Sequence, residues 1–424
     1  MTSALTSALA TAHSDAPILA DGRGTLPPQD LWALSGWGTV ITCFALTIAA
    51  FVVGIVVVPR WHRDQNRGTL SRILVQTITL VVCAALAMAS LGLWLNRSYE
   101  FLGSWADLFD GSGGDLHSQH VGGPTGLRTE RALSALAQAK AAPVSALQAD
   151  PMSQKDTLKG VSTTTGAQYV TLTVPGTRSG LTQGMTVYLP AGYMQNPQRR
   201  YPVITAFSGI PGSPRSWERG FNLSATLHKL VTEGKLQNSI VLMPIVYPGK
   251  FDSECVDATD KRKPQYETWL SQDVVGWAKT HLRTIEDPNA WATMGYSAGG
   301  WCASMMSVRH PDVFRYSISL AGYFEVDYTK GQVWTRNGDP KYDLPAIVRR
   351  EKPPVSMYFF TGGEDGLSMP SLSRMRPAVD APSSLTTRTT RRGGHLVTLW
   401  VAHLPVSLTW LGEHAPGFDP RLTD

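Results

Sequence analysis

The chain has 424 residues, 43% of them hydrophobic and 17% charged, with a formal net charge of +5. That balance excludes an intrinsically disordered chain and leaves room for about two folding units, one with a sizeable core. A pI near 9.0 invites a nucleic-acid reading, but the positive charge is scattered and part of it flanks apolar segments, so no nucleic-acid partner is expected.

Residues 1–33 are rich in Ala, Ser, Thr, Asp and Pro and have no basic n-region, which sets them apart from a cleavable signal peptide. Two uncharged apolar runs follow, at 34–58 and 73–95, each long enough at roughly 20 residues to cross a bilayer as a helix. The loop between them, 59–72, carries Arg60, Arg63, Arg67 and Arg72 against Asp64, whereas the first 33 residues carry Asp15, Asp21 and Asp30 against Arg23. By the positive-inside rule the loop is cytoplasmic, and the N-terminal tail and everything after Trp94 are extracytoplasmic. Trp32, Trp37, Trp61 and Trp94 sit near the span ends, as an aromatic belt requires. Residues 96–156 read as a tether with glycine-rich punctuation and one Ala-rich helical stretch interrupted at Pro143; His117 and His120 read as solvated loop residues, with no other metal-ligating types around them.

The remainder, 157–415, alternates strand and helix patterns, with 416–424 as a C-terminal tail. Strands are expected at 169–174, 185–189, 202–207, 239–246, 289–294, 316–320, 355–361 and 385–390, and helices at 225–233, 266–282, 300–309 and 396–413. Antiparallel strands followed by βα units imply an α/β fold: a mixed, mostly parallel sheet with helices on both faces, its reactive groups at the carboxyl ends of the strands.

The chemistry centres on Gly295-Tyr296-Ser297-Ala298-Gly299, a G-x-S-x-G sequence between a strand and a helix. Such a turn lifts a serine Oγ clear of the sheet and needs small residues beside it. A serine hydroxyl is a poor nucleophile without a base, and the base needs a carboxylate to hold its tautomer. Downstream, Gly362-Gly363-Glu364-Asp365-Gly366 follows a strand, making Asp365 the expected acid and Glu364 the reserve. Arg391-Arg392-Gly393-Gly394-His395 follows the next strand and makes His395 the expected base, while His310, His403 and His414 read as helix or packing residues. An oxyanion hole needs two backbone donors; the N–H of Ala298 is one, and in the loop 208–213 Pro211 has none, so Ile210 is the other.

The ordered set FSGIPGS, SIVLMPIV, YETWLSQDVVGWAKTHL, GYSAGGWCASMMSVRHPDVF, SISLAGYF, GGED and GGHLVTLW resembles the esterase D and antigen-85-type α/β-hydrolases, which include mycolyltransferases and feruloyl esterases. The resemblance covers most of 165–412, but neither the apolar spans nor the tether. It implies the same roles for Ser297, Asp365, His395, Ile210 and Ala298. The family often has Trp two residues after the histidine, where this chain has Val397, and Trp400 matches a later aromatic. Acceptor-sugar residues of the mycolyltransferases have no convincing counterparts here.

Of four cysteines, Cys43 and Cys83 lie in the apolar spans, whereas Cys255 and Cys302 lie in the domain assigned outside, where a disulfide between them would pin the loop 249–265 beside the nucleophile helix. The resulting expectation is a membrane-anchored serine esterase acting on a small-molecule or lipid ester through an acyl-enzyme, without metal or organic cofactor. The alternatives are an acyltransferase serving a sugar or glycolipid acceptor and a non-catalytic binding scaffold. The loop 325–352 is expected to line or cover the acyl pocket. Oligomeric state and ester specificity are not legible in the sequence.

Overall fold

The structure, a computed structural model, describes residues 37–60, 69–99, 116–126, 129–162, 165–249, 251–328, 331–336 and 338–422. The tail 1–33, most of the basic loop with Trp61, Arg63, Asp64 and Arg67, and residues 100–115 of the expected tether lie outside the described residues. The chain divides into two compact units, residues 1–91 and 92–424.

The first unit contains α1 (Trp37–Val52), continued by a π-helical turn, Val53–Val57, and most of α2 (Thr69–Tyr99). Within them, Trp37–Arg60 and Leu70–Asn96, at 24 and 27 residues, are long and apolar enough to cross a membrane. Their apolar side chains point outward, with Ile41, Ile55, Leu70 and Leu80 exposed. Two polar side chains turn inward: the Thr47 and Ser90 hydroxyls lie 2.8 Å apart, and Ser90 donates to Cys43 Sγ at 3.3 Å. A water-soluble helix pair would have the opposite arrangement.

In the second unit nine strands form one sheet in the order β1-β9-β8-β7-β6-β4-β5-β3-β2. They are β1 (Leu116–Gly122), β2 (Gln168–Val174), β3 (Gln183–Leu189), β4 (Val203–Phe207), β5 (Ile240–Pro244), β6 (Trp291–Tyr296), β7 (Tyr316–Leu320), β8 (Ser356–Thr361) and β9 (Ser384–Thr390). Strands β9, β8, β7, β6, β4 and β5 run parallel, flanked by antiparallel β1 on one side and β3 with β2 on the other. The expected mixed, mostly parallel α/β-hydrolase sheet is therefore present. Its helices include α3 (Glu130–Ala141), α4 (Pro151–Thr157), α5 (Leu223–Thr232), α6 (Val275–His281), α7 (Ala298–Arg309), α8 (Leu344–Glu351), α9 (Ser368–Met375) and α10 (Val397–His414). In β4, Val203 and Phe207 enter one core and Ile204 and Ala206 the other, the period-2 alternation of a strand covered on both faces.

Several expectations are corrected. The described part of the expected tether, 96–156, is folded: β1 pairs with β9 from Leu116↔Thr390 to Gly122↔Ser384, and α3 buries Leu136 in the core. His117 and His120 are strand residues, and the His120 Nε2–H donates to the Gly123 carbonyl at 2.8 Å. A polar edge strand has too few apolar positions to show a period-2 signal, which is why it reads as linker. At the other end, residues 416–422 are not a tail, since Phe418 is fully buried and its carbonyl accepts from the Gln237 N–H. The domain thus extends beyond 157–415 on both sides. The strand expected at 289–294 begins at Trp291, because Asp287 caps a short 3-10 turn over Pro288–Ala290. The helix expected at 266–282 contains a π segment, Trp269–Val274. Helices α8 and α9 went unrecognised in the sequence, each being only 8 residues long.

Candidate active site

Strand β6 ends at Tyr296 and α7 begins at Ala298, leaving Ser297 alone in the turn with φ 54° and ψ −128°. A side chain in this region is strained, and the surroundings must impose it. They do so through close backbone approach: a Cβ on Gly295 would collide with the Gly299 carbonyl, and one on Gly299 with the Phe207 carbonyl. The Ser297 N–H is held by the Leu320 carbonyl of β7 at 2.9 Å.

The parallel strands all end on the same edge of the sheet, so the loops after β4, β6, β8 and β9 meet there. The Ser297 Oγ–H donates to His395 Nε2 at 2.8 Å, and the His395 Nδ1–H donates to Asp365 Oδ2 at 2.8 Å. Asp365 is 1% exposed. Burial alone would raise its pKa, but the His395 ring beside it, the Ser368 N–H and the Thr361 hydroxyl hold it below the ordinary carboxylate value. It therefore stays ionised at neutral pH. Glu364, the reserve acid, turns away from the imidazole: its Oε2 accepts from the Gly393 N–H at 3.1 Å, while its own N–H donates to the Gly393 carbonyl at 3.0 Å. It ties the acid turn to the histidine loop.

The loop 208–213 packs against the nucleophile turn. A Cβ on Gly209 would approach Ser297 Cβ to 3.0 Å. The Tyr296 ring packs against Gly209, and Ile210 is the next residue along the loop. Ala298, as the first helical residue, has an N–H that the helix itself does not pair. The Tyr296 ring lies 5.2 Å from Trp217, 4.8 Å from Phe221 and 5.6 Å from Trp400, joining the loop, the turn and α10 in one aromatic cluster. Trp400 also meets the His395 ring edge-on at 4.7 Å, fixing the imidazole plane one helical turn beyond Val397. Sequence reasoning missed Tyr296 and Thr361 as positioning residues; the one available signal was their place at the carboxyl ends of β6 and β8.

A disulfide joins Cys255 to Cys302 across 47 residues. Around it, the Trp301 Nε1–H donates to the Glu254 carbonyl at 2.8 Å and the Tyr247 hydroxyl donates to Cys302 Sγ at 3.3 Å. The Glu254 carboxyl accepts from the Tyr323 hydroxyl at 2.7 Å, and burial together with nearby Asp252 pushes its pKa well above the usual range. The bridge thus fastens a fully buried loop to the nucleophile helix. Replacing both cysteines by serine is expected to lower stability by about 4 kcal/mol, the chain-entropy value for a loop of this length, read as a lower denaturation midpoint. An unchanged midpoint would show that the hydrogen bonds hold the loop alone. Within the loop 325–352, a cavity of about 360 Å³ is lined by Val326, Tyr328, Val333 and Tyr342.

The sequence profile of the Esterase family, described as "Putative esterase", matches residues 179–411. This chain belongs to that family. It is 25% identical over 242 residues to an uncharacterized protein of Corynebacterium glutamicum, covering 53% of this chain and 56% of that one. An endo-1,4-beta-xylanase/feruloyl esterase of Xylanibacter ruminicola is 26% identical over 147 residues, 34% of this chain and 20% of that protein. The chain thus spans about half the length, or less, of these curated relatives. Among solved structures, an S-formylglutathione hydrolase from Agrobacterium tumefaciens superposes with a TM-score of 0.51 at 15% identity, over 60% of this chain and 98% of that one. This likeness shows the fold. The family membership agrees with the resemblance to esterase D and antigen-85-type α/β-hydrolases carried by the motifs.

Proposed function

We propose that the protein is a membrane-anchored serine esterase whose α/β-hydrolase domain works on the extracytoplasmic side. The observation that carries this reading is the relay from Ser297 Oγ through His395 to Asp365, with both hydrogen bonds at 2.8 Å. Ser297 attacks the ester carbonyl carbon while its proton passes to His395 Nε2, and the ionised Asp365 stabilises the imidazolium. The carbonyl oxygen, now negative, accepts from the Ile210 and Ala298 N–H groups. On collapse the C–O bond to the leaving alcohol breaks, and His395 returns the proton to that alcohol. Water, deprotonated by His395, then attacks the acyl-enzyme, releases the carboxylic acid and restores Ser297.

The outward-facing apolar side chains of the two long helices support the anchor, and the arginines of the loop 59–72 support its orientation. The Cys255–Cys302 bridge fits an oxidising compartment. Feruloyl ester cleavage, named for one relative, makes an ester of an aromatic acid the first substrate to try.

Membranes containing the full chain are treated with a fluorophosphonate probe, then assayed on nitrophenyl esters with and without added sugar alcohols. Covalent labelling and release of free acid are expected. Failure to label would overturn the serine mechanism, and acyl sugars as the main product would replace hydrolysis by transfer. Protease added to intact cells should cut the domain while sparing the spans; full protection would reverse the orientation.

A further inference from the structure

Strand β1 runs antiparallel to β9 with Leu116 opposite Thr390, so the chain enters the domain at the carboxyl edge of the parallel strands, the edge that carries Ser297 and His395. Only residues 100–115 separate α2 from β1, and a segment of that length spans at most about 60 Å when fully extended. The opposite edge of the sheet is a further strand length away, about 24 Å for the 7 residues of β1. On the membrane-anchored reading above, the catalytic edge is therefore the edge tethered more closely to the bilayer.

The corner at which the chain enters is basic. Arg391 and Arg392 follow Thr390 directly, precede His395 in the same loop and have exposed side chains. Their backbone is fixed: the Thr390 hydroxyl donates to the Arg392 carbonyl at 2.6 Å, and a Cβ on Gly363 of the acid turn would strike the Thr390 and Arg391 carbonyls. A rigid turn thus presents two cations beside the catalytic histidine. Glu364 offsets part of this charge and is itself bonded to the Gly393 N–H. Leu116, paired with Thr390 at the same corner, is 45% exposed, an apolar side chain of the kind that enters the boundary between headgroups and acyl chains.

We infer that this corner, Leu116 with Arg391 and Arg392, docks on the anionic headgroups of a phospholipid bilayer, and that the ester reaching Ser297 is drawn from that bilayer. The inference rests on the membrane-anchored esterase reading and names the source of its substrate. Each arginine at an anionic surface contributes about fivefold to binding, and the attraction falls as salt is raised.

The test uses the full chain in liposomes of phosphatidylcholine, alone or mixed with phosphatidylglycerol in equal parts. Hydrogen exchange is followed at 116–122 and 391–395. Anionic liposomes are expected to slow it relative to neutral ones, more at low salt than at high, and Arg391→Gln/Arg392→Gln should remove the difference. Turnover is then compared for a long-chain nitrophenyl ester held in the bilayer and for water-soluble nitrophenyl acetate. Anionic lipid should raise the ratio of embedded to soluble turnover by about fivefold or more, and the double substitution should return that ratio to its neutral-lipid value. Exchange is read equally well in Ser297→Ala, so a wild type that hydrolyses neither ester would defeat the esterase reading while docking is still decided by exchange. Equal exchange in neutral and anionic liposomes, or a ratio untouched by the double substitution, would overturn the inference. So would protection of 146–157 instead, where Leu147 and Met152 are exposed and Gln148 bonds the Lys279 and Leu282 carbonyls ahead of β6, because that result puts the bilayer at the opposite edge.

Discussion

Ser297→Ala is expected to lower kcat/KM for a nitrophenyl ester by at least ~10⁴-fold and to abolish fluorophosphonate labelling. His395→Ala should cost about as much, and the Ser297→Ala/His395→Ala double substitution no more than either alone. Such non-additivity follows because the nucleophile and its base perform one step, and half of the pair has no value by itself. Asp365→Asn should reduce kcat by roughly 10³- to 10⁴-fold while preserving KM, since an amide side chain presents the wrong hydrogen-bond partner to Nδ1 and turns the imidazole to the unproductive tautomer. The Asp365 contacts to the Thr361 hydroxyl and the Leu367 and Ser368 N–H groups would hold the substituted side chain in place. Glu364→Gln separates the two adjacent acids: because Glu364 bonds the Gly393 N–H and not the imidazole, a loss below about tenfold is expected. If Glu364→Gln were the more damaging variant, the acid would be misassigned. Additive losses at Ser297 and His395 would show that the two do not act together.

Glu267→Gln is expected to destabilise the fold by about 3 kcal/mol, as leaving buried or half-buried cations without their carboxylate does. Glu267 is 3% exposed. Its carboxylate accepts from Arg309 Nε at 2.7 Å, His310 Nε2 at 3.0 Å, Lys341 Nζ at 2.7 Å and the Tyr342 hydroxyl at 2.7 Å. It thereby ties the end of α7 to the segment entering α8. Burial alone would raise its pKa, yet these partners hold it far below the usual carboxylate range. The folded-state pKa is therefore depressed, and the stabilisation is present above the unfolded value of about 4.3 and lost as pH falls towards the folded one. Urea midpoints of wild type and Glu267→Gln should differ widely at pH 7 and converge below about pH 4. Equal midpoints at pH 7 would show that the network contributes nothing net, as some buried ion pairs do.

What the sequence determined by itself is short-range. The glycines around Ser297 mark a turn that only small residues permit: a Cβ at Gly295 would strike the Gly299 carbonyl within the same turn, whereas the clash at Gly299 is with the Phe207 carbonyl of β4 and became visible only in the fold. The placement of Asp365 and His395 beside Ser297 was legible because a parallel sheet sends each loop to one edge, so that order along the chain and a glycine-rich turn at a strand end suffice to single them out. The apolar spans were legible from length alone. Tertiary structure decided everything that depends on a distant partner. Between adjacent Glu364 and Asp365, it is the position of the 391–395 loop that gives one the imidazole and the other the Gly393 amide. The polar strand β1 exists through its pairing with β9, more than 260 residues away, and carries no local hydrophobic signal of its own. Trp400 and Glu267 owe their roles to side chains assembled from separate strands and helices, and such proximities are a property of the packed sheet, not of any window along the chain.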